Sequence, residues 1–173
     1  MINNIYLGCA LTHVSEEIFD DYSELIRIIA KSFEVEFGAK VYYALEDSDP
    51  QLASKLEKDK PKLCYLWDRE MVESSDLMLA EVSFPSTGLG QELQIAQSKN
   101  IPIILFYKDY RTNIAHKKYY VTSSNEECEL QIGNGIVSIM VQGNPSVIHE
   151  VQYTDASLLV SSLIDITKKF FNI

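Results

Sequence analysis

A chain of 173 residues with 46% hydrophobic and 23% charged residues can form one domain, residues 1–173, with a sizeable core, and its composition excludes global disorder. The formal net charge of −10 excludes a concentrated basic face, so neither a nucleic-acid polymer nor a membrane is expected as a partner; a single nucleotide remains compatible. Cys9, Cys64 and Cys128 have no CxxC spacing and read as reduced thiols, and with no apolar stretch near ~18 residues and no leader pattern the expected location is cytoplasmic.

The apolar run Ile5-Tyr6-Leu7-Gly8-Cys9-Ala10 reads as a first, buried strand. Residues 15–33 place Ile18, Tyr22, Leu25, Ile26, Ile29 and Phe33 at helical spacing, with Ser15 as N-cap and Glu16-Glu17 in the first turn. Residues 41–45 form a second strand, and residues 51–75 read as helical in two pieces broken near Pro61. Residues 77–82 give a third strand, residues 89–98 a helix and residues 101–107 a fourth strand. Residues 147–153 give a fifth, and residues 155–171 a last helix with Leu158, Leu159, Leu163, Ile166 and Phe170 on its apolar face. Residues 108–135 are polar and interrupt this alternation, and they read as an inserted hairpin. The pattern implies an α/β fold: a Rossmann-like (flavodoxin-like) five-stranded parallel sheet flanked by helices.

Ligands of such sheets bind where strands end and helices begin. The first strand leads into Gly8-Cys9-Ala10-Leu11-Thr12-His13, and the third into Pro85-Ser86-Thr87-Gly88-Leu89-Gly90-Gln91-Glu92. Small residues there let a ligand approach the backbone, and the amides of the following helix offer donors to an anion. With a helix starting near Leu89, Glu92 falls in its first turn, where the helix dipole favours the ionised carboxylate expected of a nucleophile; the same string also fits a glutamate that only stabilises the helix. Asp68, on the preceding helix, can face the ligand or lie solvated. Tyr6 is a core position whose hydroxyl needs a polar partner. His13, His116 and His149 lack metal-ligand spacing, so no metal is expected, and His13 alone lies where it can meet an anionic ligand. The absence of GxGxxG, GxxxxGK[ST] and GxSxG strings argues against a dinucleotide cofactor, a P-loop enzyme and an α/β-hydrolase.

The run from Ser75 to Leu93 resembles the central motif of the 2'-deoxynucleoside 5'-phosphate N-hydrolases, within the nucleoside 2-deoxyribosyltransferase superfamily. The likeness extends to Ile5-Tyr6-Leu7, to Asp68, and to Ser138-Ile139-Met140-Val141-Gln142-Gly143. The resemblance implies that Glu92 is the nucleophile, Asp68 the acid that assists departure of the base, and Tyr6 the group that holds the nucleophile. Gly88 and Gly90 belong to the matching turn. It also implies that Ser86 binds a 5'-phosphate, where the transferases carry an aspartate, and that Ser138 binds phosphate in the neighbouring subunit's site, hence a homodimer. The family's Gly-Ser-x-Arg-Gly loop after the first strand is replaced here by Cys9-Ala10-Leu11-Thr12-His13. The implied activity is cleavage of the N-glycosidic bond of a nucleoside 5'-monophosphate, without cofactor. A deoxyribosyltransferase acting on unphosphorylated nucleosides and a non-catalytic nucleotide sensor are the alternatives; base exchange would mark the first, and release of the nucleotide unchanged the second.

Overall fold

The computed structural model describes residues 2–173. β1 (Asn4–Cys9), β2 (Lys40–Tyr42), β3 (Leu77–Glu81), β4 (Ile103–Lys108) and β7 (Val147–Tyr153) form one parallel sheet in the order β2-β1-β3-β4-β7. β3 and nearly all of β4 are buried, which is why they read as unbroken apolar runs rather than as alternation. The chain turns opposite ways from β1, to β2 on one side and β3 on the other. That topological switch opens a crevice above the carboxyl ends of β1 and β3.

Helices α1 (Glu16–Phe37) and α6 (Ala156–Phe171) cover one face of the sheet, packing on Ile5, Leu7, Leu77, Leu79 and Phe106. On the other face Tyr6, Met78, Ala80, Ile103 and Leu105 pack against α3 (Lys60–Glu73) and α4 (Thr87–Ser98). The alternation of strand side chains thus sends Tyr6 and Gly8 toward α3 and α4, and Glu81 toward α1. The insertion holds the expected hairpin: β5 (Tyr119–Val121) pairs antiparallel with β6 (Glu127–Glu129), apart from the main sheet. A four-residue helix, α5 (Ile139–Gln142), follows it.

Three local expectations are corrected. Pro61 does not break a helix; it sits in the first turn of α3, where its missing N–H is no loss, and the break falls ahead of it, after the short α2 (Asp49–Leu52). α4 begins at Thr87, because the Ser86 hydroxyl accepts from the Leu89 N–H at 3.2 Å and caps the helix two residues earlier than expected. In α6 the buried positions are Leu159, Leu163 and Thr167, while Leu158 is 70% exposed: one residue of rotation, about 100°, carries it off the packed stripe.

Candidate active site

Glu92 rises from the second turn of α4 toward the sheet, and Gly8 of β1 receives it. A Cβ built at Gly8 would lie 3.0 Å from Glu92 Oε2, 2.7 Å from a Leu89 methyl and 2.9 Å from the Met78 methyl. The glycine is therefore what allows α4 and its carboxylate to lie this close to β1. Asp68 approaches from α3, where Cys64, one turn earlier, donates its thiol to Asp68 Oδ2 at 3.3 Å. Burial raises the Cys64 thiol to about 11, with the Asp68 charge adding to the shift, so the sulfur keeps the proton it donates. Tyr6, 1% exposed, brings its hydroxyl to the same place from β1.

Two buried oxygens in this group have no hydrogen-bond partner among the described residues: Asp68 Oδ1 and Glu92 Oε2. Burial pushes the Glu92 carboxyl up to about 8; the negative charge of Asp68 pushes the same way, and the Tyr6 hydroxyl acts against both by favouring the ionised form. This overturns the expected dipole effect. α4 starts at Thr87, so its first turn holds no acidic residue, and Glu92 lies beyond the reach of the helix N-terminus. Burial and the Asp68 charge thus both favour the protonated form of Glu92.

The mouth of the crevice lies at the N-terminus of α4. A cavity of about 470 Å³ is lined there by His13, Ser86, Thr87, Leu89, Gly90 and Ser138, among others. The fold thus gathers four of the expected binding residues, Ser86, Gly90, Ser138 and His13, around one space. Gly88 and Thr12 are exposed beside it without lining it. Apart from the chain neighbours and the backbone of α4 itself, no described atom stands within 4 Å of a Cβ built at Gly90, and at Gly88 only the Ser86 hydroxyl does, at 3.8 Å; the turn leaves open room above it. Ser138, which the resemblance assigns to a neighbouring subunit's site, stands at the N-cap position of α5 without a side-chain cap bond, at the rim of this chain's own cavity. Leu89 lines the cavity and also touches the Gly8 position beside Glu92, so it forms the wall between the mouth and the buried carboxylate.

Sequence reasoning missed Cys64 and Glu81, and it read Gly8 as the start of the loop after the first strand without its contact with Glu92. Cys64 was legible as the residue four before Asp68 on one helix face; the contact at Gly8 carried no signal of its own. Glu81 is 0% exposed on the opposite face of the sheet, receives the Tyr22 hydroxyl at 2.8 Å, the Ser83 N–H at 3.2 Å and the Tyr153 hydroxyl at 3.4 Å, and bonds the Ser83 hydroxyl. Among the described residues no group of three or more His, Cys, Asp and Glu side chains is placed to hold a metal ion, and no helix is long and apolar enough to cross a membrane.

The architecture recurs in solved structures. The chain matches Clostridium botulinum CMP N-glycosidase, BcmB, with a TM-score of 0.57 at 16% identity, over 93% of this chain and 98% of that one. It matches a 2-deoxyribosyltransferase from Bacillus psychrosaccharolyticus with a TM-score of 0.54 at 14% identity, over 91% and 90%. At such identities the likeness is one of fold: a nucleoside 2-deoxyribosyltransferase-like α/β sheet. No protein-family model matches the sequence. Over 136 residues the chain is 30% identical to a Methanosarcina mazei protein provisionally named 2'-deoxynucleoside 5'-phosphate N-hydrolase 1, spanning 72% of this chain and 70% of that one. A Syntrophotalea carbinolica protein with the same provisional name is 44% identical over 43 residues, 25% of this chain and 30% of its own. The chain belongs to the 2'-deoxynucleoside 5'-phosphate N-hydrolase family.

Proposed function

We propose that the protein hydrolyses the N-glycosidic bond of a nucleoside 5'-monophosphate, releasing the free base and a sugar 5-phosphate. The observation that carries this reading is the pair of buried, unpartnered carboxylate oxygens, Glu92 Oε2 and Asp68 Oδ1, below an anion-accepting helix terminus. Unsatisfied buried acceptors are costly, and a ligand that supplies the missing partners repays that cost on binding.

Glu92 lies five positions along α4 from Thr87, about 7.5 Å of helix rise, so one helix carries both the anion-accepting terminus and the carboxylate. The phosphate takes the open N–H groups at the start of α4 with the Ser86 hydroxyl, and His13 and Ser138 close over it. The anomeric carbon then lies at Glu92 and the base at Asp68.

In the first step a Glu92 oxygen forms a bond to C1' as the bond from C1' to the base nitrogen breaks. The bonding pair leaves with the base, which takes a proton from Asp68. Burial and the Asp68 charge favour a proton on Glu92, so attack calls for that proton to pass to Asp68; the Tyr6 hydroxyl favours that arrangement by stabilising the Glu92 carboxylate. In the second step water attacks C1', Asp68 takes its proton, and the ester bond breaks to return the Glu92 carboxylate. No cofactor enters either step.

Free-base release from a panel of nucleosides and nucleoside 5'-monophosphates, followed by chromatography, tests the reading. Release from monophosphates that vanishes in Glu92→Ala is the expected result. Exchange that requires a second base would reassign the protein as a transferase, and nucleotide returned unchanged by the wild type would make it a sensor. We further propose that the protein works as a homodimer, supported by Ile139 and Met140, 49% and 84% exposed beside Ser138. The free thiols of Cys9, Cys64 and Cys128 support a cytoplasmic location.

A further inference from the structure

The insertion builds a second cavity, of about 640 Å³, that continues from the mouth of the candidate site. The two spaces share His13, Pro85, Ile136, Val137 and Ser138 as common walls. The shared wall is the one that receives the phosphate in the proposed reading, so whatever fills the second cavity extends from the 5' end of the substrate and away from Glu92.

The lining of the second cavity carries no Lys, Arg, Asp or Glu; His13 is its single ionisable side chain. Its surface comes largely from Phe84, Pro85, Ile114, Ile132, Ile136 and Ile139. Much of its polar lining is already engaged within the fold. Both N–H groups of the Asn113 amide are given to the Ser83 and Lys108 carbonyls, and its oxygen accepts from the Tyr110 N–H. The Gln131 amide nitrogen donates to the Glu129 carbonyl. A second phosphate would find no cation here to offset its loss of water, whereas an uncharged ring would find apolar contact.

The loop after β1 points the same way. Cys9-Ala10-Leu11-Thr12-His13 offers one histidine and no arginine to a phosphate dianion, and the chain as a whole is at −10. A phosphate that carries an organic ester is a monoanion and needs less compensation.

We propose that the preferred substrates are nucleoside 5'-phosphodiesters, in which the 5'-phosphate bears an uncharged, largely apolar substituent that the insertion cavity holds. This rests on the proposed glycosidase reading, whose failure the test separates from its own. The probes are the phenyl esters of the four 2'-deoxynucleoside 5'-monophosphates, each compared with the parent monophosphate. Wild-type protein should release base from a phenyl ester with a KM about tenfold below that for its monophosphate. Ile132→Trp, which fills the cavity away from the shared wall, should abolish that advantage and leave turnover of the monophosphate unchanged, which also shows that the variant is folded.

Binding of both ligands to Glu92→Ala protein, followed by calorimetry, reads the cavity without chemistry. Tighter binding of the ester that Ile132→Trp removes supports the subsite even where no base is released, an outcome that would overturn the glycosidase reading alone. Equal or weaker use of the esters, with monophosphates cleaved, overturns the subsite and leaves the glycosidase standing; equal binding in both proteins overturns it as well.

Discussion

Two glutamates lie buried on opposite faces of the same sheet, and their surroundings separate a structural carboxyl from a candidate catalytic one. Glu81 is met by hydroxyls of Tyr22, Ser83 and Tyr153 and by the Ser83 N–H, and burial raises it to about 7 against the pull of those donors. Glu92 keeps an oxygen without a partner, is pushed to about 8, and faces a second carboxyl with an orphaned oxygen of its own. The Glu81 network also ties the insertion to the sheet: the Ser83 hydroxyl accepts from the Lys108 N–H at 2.8 Å, and the Ser83 carbonyl accepts from Asn113 at 2.9 Å. One carboxyl is therefore spent on holding loops together, and the other is left for a ligand.

The sharpest way to break this comparison is to remove each in turn. Glu92→Ala should lower kcat for base release by about a thousandfold or more and leave the fold intact. Glu81→Gln should do the reverse. An amide N–H would face donors, costing about 1–3 kcal/mol of stability in a denaturant titration, while kcat for base release stays within about threefold of wild type. A Glu81→Gln protein that is fully stable yet inactive would end the division of roles drawn here.

Asp68 supplies the next largest effect. Asp68→Asn should reduce kcat by about a hundredfold to ten-thousandfold, with the larger loss on substrates whose bases are poorer leaving groups. In the proposed mechanism the two carboxyls together need one proton, and the last proton leaves near the Glu92 value of about 8. kcat/KM should therefore hold level below that pH and fall as pH rises through it. Asp68→Asn should abolish that fall, since the asparagine has no proton to lose and no longer raises Glu92 by its charge.

Much of the fold was legible because it is written in local patterns. The buried strands appear as apolar runs, and the helices as stripes at 3.6-residue spacing. Tyr6, Asp68 and Glu92 were legible as candidates through the family resemblance, and the fold brings them together. What was not legible depends on contacts between distant segments. The early start of α4 follows from one side-chain bond at Ser86, and it reverses the expected electrostatics of Glu92. Glu81 reads in sequence as a polar residue that ends β3; only the fold brings Tyr22 and Tyr153 to it. The cavity of the insertion could not be foreseen, because residues 108–135 carry no periodic signal and its walls come from four separate segments.

On the Glu92 side of the comparison Gly8 matters next, since it leaves the room that Glu92 occupies. Gly8→Ala would set a methyl against Glu92 Oε2, Leu89 and Met78, and the flexible ends of the latter two can yield only in part. The expected cost is about 1–3 kcal/mol of stability with a tenfold to hundredfold loss of kcat, because the carboxylate is displaced from its reacting position. An alanine variant with normal kcat would show that Glu92 does not need this close approach.

The smallest effect is read as stability against pH, and it separates the two glutamates in one experiment. A carboxyl raised on folding holds its proton in the native state after the unfolded chain has lost it, so its contribution is fully present below the unfolded value near 4.5 and disappears as pH rises through the folded value. For Glu81 that loss should end near pH 7, and for Glu92 near pH 8. The midpoint of thermal unfolding should therefore decline by several degrees between pH 5 and 8 in the wild type. Glu92→Gln should decline less, and its difference from wild type should keep growing between pH 7 and 8, where Glu81 has nothing further to add. A difference that is flat across the whole range would mean that the Glu92 carboxyl is already ionised in the folded protein, and that the proposed attack needs no prior proton movement.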